Sequence, residues 1–141
     1  MGQLRPLQAS TQKAHEWLSE FMEHTGRQDE GKAWQMVRAV LHVLRDRMPV
    51  DKSAHISAQL PLVIRGLYFD GWKPSYQPSR IRSRDEFVQA VADELSGHPE
   101  IDPNQAIEGT LFLLSRHLSN GEVEKIKQSL QPELASLWPE A

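Results

Sequence analysis

Apolar residues along this chain recur at helical spacing. Val37, Val40, Leu41, Leu44 and Met48 fall at i, i+3, i+4, i+7 and i+11, one stripe of a 3.6-residue helix. Ile107, Leu111, Leu114 and Leu118 repeat that stripe 70 residues later. No segment shows the two-residue alternation of a half-buried strand. Start signals agree with the stripes. Ser83 with Glu86, and Ser119 with Glu122, have capping-box spacing, in which the serine accepts from an early amide and the glutamate reaches back. Asp102-Pro103 supplies a cap residue and then a proline where a missing N–H costs nothing. Leu60-Pro61 and Gln131-Pro132 each end one helix and open another.

The chain also lies on itself when shifted by 70 residues. Trp17 meets Phe87, Val37 meets Ile107, Val43 meets Leu113, Met48 meets Leu118, and Tyr68 meets Trp138. Five further pairs are Leu–Leu or Ile–Ile identities, such as Leu41 with Leu111 and Ile56 with Ile126, and a run in phase along both halves is not chance. The expected fold is all-α: two pseudo-symmetric four-helix repeats, 1–70 and 71–141, packed as one compact bundle-like domain. The predicted helices cover about 11–25, 32–47, 51–58 and 61–69, then 84–95, 103–118, 120–129 and 132–138. The stretch 70–82, rich in Gly, Pro and Ser, is the predicted linker.

Composition narrows the function. With 141 residues the chain is the size of one domain, and its formal net charge of -3 argues against strong non-specific attraction to nucleic acid or anionic lipid. There is no cysteine, which excludes disulfides, thiolate catalysis and Cys-ligated metal sites. No apolar run approaches the ~18 residues of a membrane span, and the N-terminus has no secretory h-region, so a cytoplasmic protein is expected.

Two pieces, "AQLP…RGLYFDGW" (Ala58 to Trp72) and "GEVEKI…LW" (Gly121 to Trp138), resemble the bacterial domain-of-unknown-function family 2267. "AWQMVRAVLHVLRDRMPV" and "RSRDEFVQAVADEL" extend that resemblance over nearly the whole chain. Leu130-Gln131-Pro132 stands where Leu-Pro is expected, a small departure. The resemblance implies a small helical protein with a duplicated unit. It implies no activity, cofactor or functional residue.

Candidate sites therefore rest on the residues themselves. Leu62, Arg65, Tyr68, Phe69, Trp72 and Tyr76 form a candidate contact patch, because aromatic and arginine side chains dominate binding hot spots. Tyr68 also reads as an anchor closing the bundle, through its counterpart Trp138. Lys73, Arg80, Arg82 and Arg84, interleaved with Trp72 and Tyr76, are a candidate anion- or nucleic-acid-binding segment. Residues 71–141 carry 7 basic and 11 acidic groups, and that split favours a solvated linker whose arginines pair with the second repeat. Arg38, Arg45 and Arg47 are expected on the wet face of their helix. Arg65 is expected to cap carbonyls at the C-terminal end of its own short helix, or to pair with an acid at the core edge.

The six histidines, His15, His24, His42, His55, His98 and His117, include no pair three to five apart, so no metal is expected. His42 is expected to be half-buried, His55 and His117 exposed. No nucleophile elbow, phosphate loop or dinucleotide fingerprint is present, so neither a catalytic residue nor a cofactor is assigned. The leading expectation is a non-enzymatic module that binds a protein partner or a second copy. The alternatives are anion binding by the linker, and a small-ligand pocket between the repeats lined by His42, Arg65 and Tyr68.

Overall fold

The structure is a computed structural model and describes residues 5–140. The described residues contain eight α-helices and no strand. These are α1 (Arg5–Thr25), α2 (Glu30–Arg47), α3 (Val50–Ser57), α4 (Leu62–Phe69), α5 (Arg84–Glu94), α6 (Pro103–His117), α7 (Asn120–Gln128) and α8 (Pro132–Ala135). A short 3-10 turn, Pro74–Tyr76, lies in the connection between α4 and α5.

The caps read from the sequence are formed. Ser83 and Glu86 make a full capping box at α5, and Asp102 accepts from the Asn104 amide at 2.9 Å at the start of α6. Ser119 accepts from Glu122 N at 3.1 Å, but that box is only half made, because the Glu122 carboxylate turns to His55 instead, at 3.0 Å. Asp29 caps α2 from a position no motif had marked. Gly26, at φ 77, stops α1 in the left-handed conformation that favours glycine, its N–H returning to Met22 O at 2.8 Å.

Two boundaries differ from expectation. Helix α1 begins at Arg5, about two turns before the predicted start. Pro6 in its first turn and Leu7, in phase with Ala14, Leu18 and Phe21, are the signals that mark it. Helix α8 is a single turn, with Leu137 and Trp138 continuing in a non-helical bend.

The long helices make the centre. α2 and α6 pack against each other, with α1 and α5 each touching both. α4 closes the open side of α1 and α2, while α7 and α8 close α6 and α5. The core is one continuous cluster that includes Trp17, Phe21, Met36, Leu41, Leu44 and Tyr68 from the first half and Phe87, Leu111, Leu114 and Trp138 from the second. Gly109 lets α6 approach α1: a Cβ there would meet Phe21 Cε2 at 2.5 Å.

Candidate functional site

The connection between α4 and α5 is a docked strap rather than a loose linker. Its anchors sit at the C-terminal end of α2, where four carbonyls have no partner within the helix. The Gln77 amide nitrogen donates to Arg45 O and Met48 O, both at 2.7 Å, and lies 2.8 Å from Ser53 Oγ. Ser53 Oγ itself donates to Arg45 O at 2.6 Å, and Tyr68 OH donates to Ser53 O at 3.1 Å. Trp72 Nε1 donates to the Gln77 side-chain carbonyl. Further along, Ser79 N donates to Asp46 O at 2.7 Å and Arg47 donates to Ile81 O.

Arg45 is the centre of this network. It is 3% exposed, so it is not on a wet face as the sequence implied. Its guanidinium grips the Asp46 carboxylate at 2.8 and 3.2 Å and donates to Tyr68 O at 2.7 Å and Asp70 O at 3.1 Å. One buried cation therefore ties the end of α4 and the start of the strap to α2. Arg38 and Arg47 are half-buried. Arg38 pairs with Asp70 at 3.0 Å, beside Gly71, whose φ of 69 turns the chain into the strap.

Beneath the strap lies a pocket of about 270 Å³. α2 contributes Arg38, His42, Arg45 and Asp46; the strap contributes Asp70, Gly71, Lys73 and Tyr76. Glu94, at the end of α5, forms the remaining wall. His42 is 3% exposed, deeper than the half-buried position expected. Its Nε2 donates to Leu67 O at 2.8 Å, which leaves Nδ1 as the lone-pair nitrogen. Burial, aided by Arg45 and Arg38, holds its pKa below the ordinary imidazole value, so the ring is kept neutral. Tyr68 is pushed up to about 12, chiefly by burial.

The predicted contact patch does not hold together. Ile64, Leu67 and Tyr68 face inward on α4, and Tyr68, at 0% exposure, is an anchor and not a contact residue. Arg65 is half-buried and caps the end of α3 rather than of its own helix as expected, because its side chain reaches back along the chain to Ser57 O at 2.9 Å and Leu60 O at 3.0 Å. Leu62 is exposed but sits at the far end of α4, beside an open groove against α1 that also includes Ala9, Ser10 and Trp17. Phe69 and Trp72 are half-buried against each other, with ring centroids 4.9 Å apart. Tyr76 remains in solvent at 69% exposure, with Lys73 Nζ 5.6 Å from its ring. Of the anion-binding set only Lys73 reaches the pocket. Arg80, Arg82 and Arg84 are exposed, and none makes an ion pair among the described residues. Pairing of those arginines with the acidic second half is therefore not observed. His55 is exposed as expected and faces Glu122, while His117 stacks on Trp17 at 4.3 Å and hydrogen-bonds Glu20. The pocket third of the expectation keeps His42 and loses Arg65 and Tyr68, which point into other contacts.

Residues 14–137 match the profile of a family described as "Uncharacterized conserved protein (DUF2267)". The chain belongs to the DUF2267 family. No curated protein matches it. The residues matched to DUF2267 include the whole strap and every residue that lines the pocket. The family description assigns no activity. Among the described residues of this DUF2267 protein, no helix is long and apolar enough to cross a membrane, and no group of three or more His, Asp or Glu is placed to hold a metal ion.

Proposed function

We propose that the protein is a non-enzymatic cytoplasmic binding module, built from two copies of one four-helix unit, that engages a protein surface through its strap. Several features support the duplication, with copies at 1–70 and 71–141. Helices α3 and α7 start, and α2 and α6 end, 70 residues apart. The residues that correspond at this offset share the core, as in Trp17 with Phe87, Leu41 with Leu111, Ile56 with Ile126 and Tyr68 with Trp138. The strap replaces a simple linker between the copies.

The observation that carries the binding reading is Tyr76. It stands in solvent on a segment whose neighbours Gln77, Ser79 and Trp72 are tied down. A large aromatic held out on a fixed mount loses little conformational freedom when a partner covers it, and aromatic side chains concentrate binding energy. Lys73 beside the ring supplies a charge for orientation. The contact patch is accordingly Tyr76 and Lys73 with the exposed edges of Trp72 and Phe69.

A photo-crosslinking amino acid placed at Tyr76 in the producing cell tests this. It is expected to give a covalent adduct with a second protein or a second copy, and the same group at exposed Asn104 is expected to give none. Absence of an adduct at Tyr76, or equal adducts at both positions, would refute the reading.

A further inference from the structure

The pocket beneath the strap holds three cations, Arg38, Arg45 and Lys73, and three carboxylates, Asp46, Asp70 and Glu94. Four of the six are used internally. Arg45 is paired with Asp46, and Arg38 with Asp70. Lys73 and Glu94 line the same cavity from different elements, and among the described residues neither makes an ion pair, with each other or with anything else. His42 adds a third unused group. Its Nε2 proton is committed to Leu67 O, and its Nδ1 has no partner among the described residues. Arg38 spends only Nη2 on Asp70, so its other N–H groups are unspent.

The unused groups thus fall into two kinds. Lys73 and Arg38 offer donors and positive charge. Glu94 offers acceptors and negative charge, and the neutral His42 Nδ1 offers one more acceptor. A simple anion entering here would face three carboxylates, and a simple cation three basic groups. Neither is matched by a pocket whose formal charges cancel. A molecule carrying an anionic and a cationic group a few bonds apart satisfies both kinds at once. At about 270 Å³ the cavity falls just short of the ~300 Å³ at which drug-sized sites begin, so the ligand must be small.

We propose that this pocket binds a small zwitterion of the amino-acid type, its carboxylate held by Lys73 and Arg38 and its ammonium by Glu94 and His42 Nδ1. The Tyr76 ring forms the outer wall. This goes beyond the protein-contact reading and does not need it, since the ligand lies under the strap while a partner would cover it.

The test is a calorimetric and thermal-shift titration of the full chain with free L-amino acids, each run beside its N-acetyl and carboxamide derivatives. At least one free amino acid is expected to bind and raise the melting temperature. Its N-acetyl form, without the ammonium, and its amide, without the carboxylate, are each expected to bind at least about tenfold more weakly. Lys73→Met and Glu94→Gln are expected to lose a similar factor of about ten while the ligand-free melting temperature stays put, because both side chains are exposed and unpaired. Amide chemical-shift changes should centre on Lys73, Tyr76 and Glu94. If no free amino acid binds, or if a blocked derivative binds as well as its parent, the proposal is wrong. The same holds if binding survives both variants unchanged.

Discussion

Replacing Arg45 with methionine removes the buried cation on which the strap hangs and leaves most of its apolar stem volume in place. Four hydrogen bonds go with it: two to the Asp46 carboxylate, one to Tyr68 O and one to Asp70 O. Removing one member of a buried ion pair costs about 3–5 kcal/mol, because the partner is stranded. Asp46 is 34% exposed, so water takes over part of what the guanidinium supplied, and this places the ion-pair part at the low end. The stranded Tyr68 carbonyl restores some of that relief, since a buried acceptor left unmade costs about 1–3 kcal/mol. The expected loss is about 3 kcal/mol, a fall of roughly 6–12 °C in melting temperature for a chain of this size. Urea denaturation followed by circular dichroism reads it as a lower midpoint at unchanged slope. Asp46→Asn, which keeps the two carbonyl contacts, should cost clearly less. A loss below about 1 kcal/mol in Arg45→Met would mean that the buried guanidinium does not hold the strap, and the reasoning would fail.

Three other outcomes follow from single contacts. His42 has a folded pKa below its ordinary value of 6.5, so as pH falls through that window the unfolded chain takes up a proton that the folded one refuses, and stability drops; above 6.5 this contribution is flat. His42→Gln keeps a donor for Leu67 O without titrating, so the stability advantage of the native chain over this variant should narrow between pH 7.5 and 5.5 in paired urea melts, and an advantage that widens contradicts the assignment. Tyr68, with its pKa raised to about 12, should give a late tyrosinate absorbance step in alkaline titration that Tyr68→Phe abolishes; a native titration with no late step would count against its burial. Gly109→Ala should destabilise by up to about 2 kcal/mol, because overpacking of about 1–3 kcal/mol against Phe21 and Thr25 outweighs a helix-propensity gain of about 1 kcal/mol. Pairing it with Phe21→Leu should recover part of the loss in a thermal melt, and a single Gly109→Ala variant that melts higher than the native chain would show that α1 yields easily.

The fold was largely legible because helix-forming patterns are local. Stripes such as Val37–Leu41–Leu44 bury where their spacing says, and Ser83 and Asp102 cap where their chemistry says. The site was not legible for a matching reason. Arg45 looks like any charged residue off the apolar stripe, and only a segment 25 residues away, folding back over it, makes it core. Gln77 carries no motif, yet it closes the end of α2. The aromatic cluster of "LYFDGW" was visible as a cluster, but spacing within α4 sends Tyr68 inward with Ile64 while Leu62 faces away. The phase of Leu60, Ile64, Leu67 and Tyr68 held that distinction. His42 lies deeper than the half-buried face expected of it, because its cover also comes from the strap.

Hydrogen exchange at the strap amides tests the central claim, that residues 70–82 are an ordered part of the fold and so build a site. The Ser79 amide, donating to Asp46 O at 2.7 Å, is the direct reporter. The account predicts that Ser79 exchanges at least ~100-fold more slowly than an open chain, and that Arg45→Met releases it while amides in α2 and α6 stay protected. A Ser79 amide exchanging at the open-chain rate in the native protein would contradict it, leaving a mobile linker with no pocket beneath.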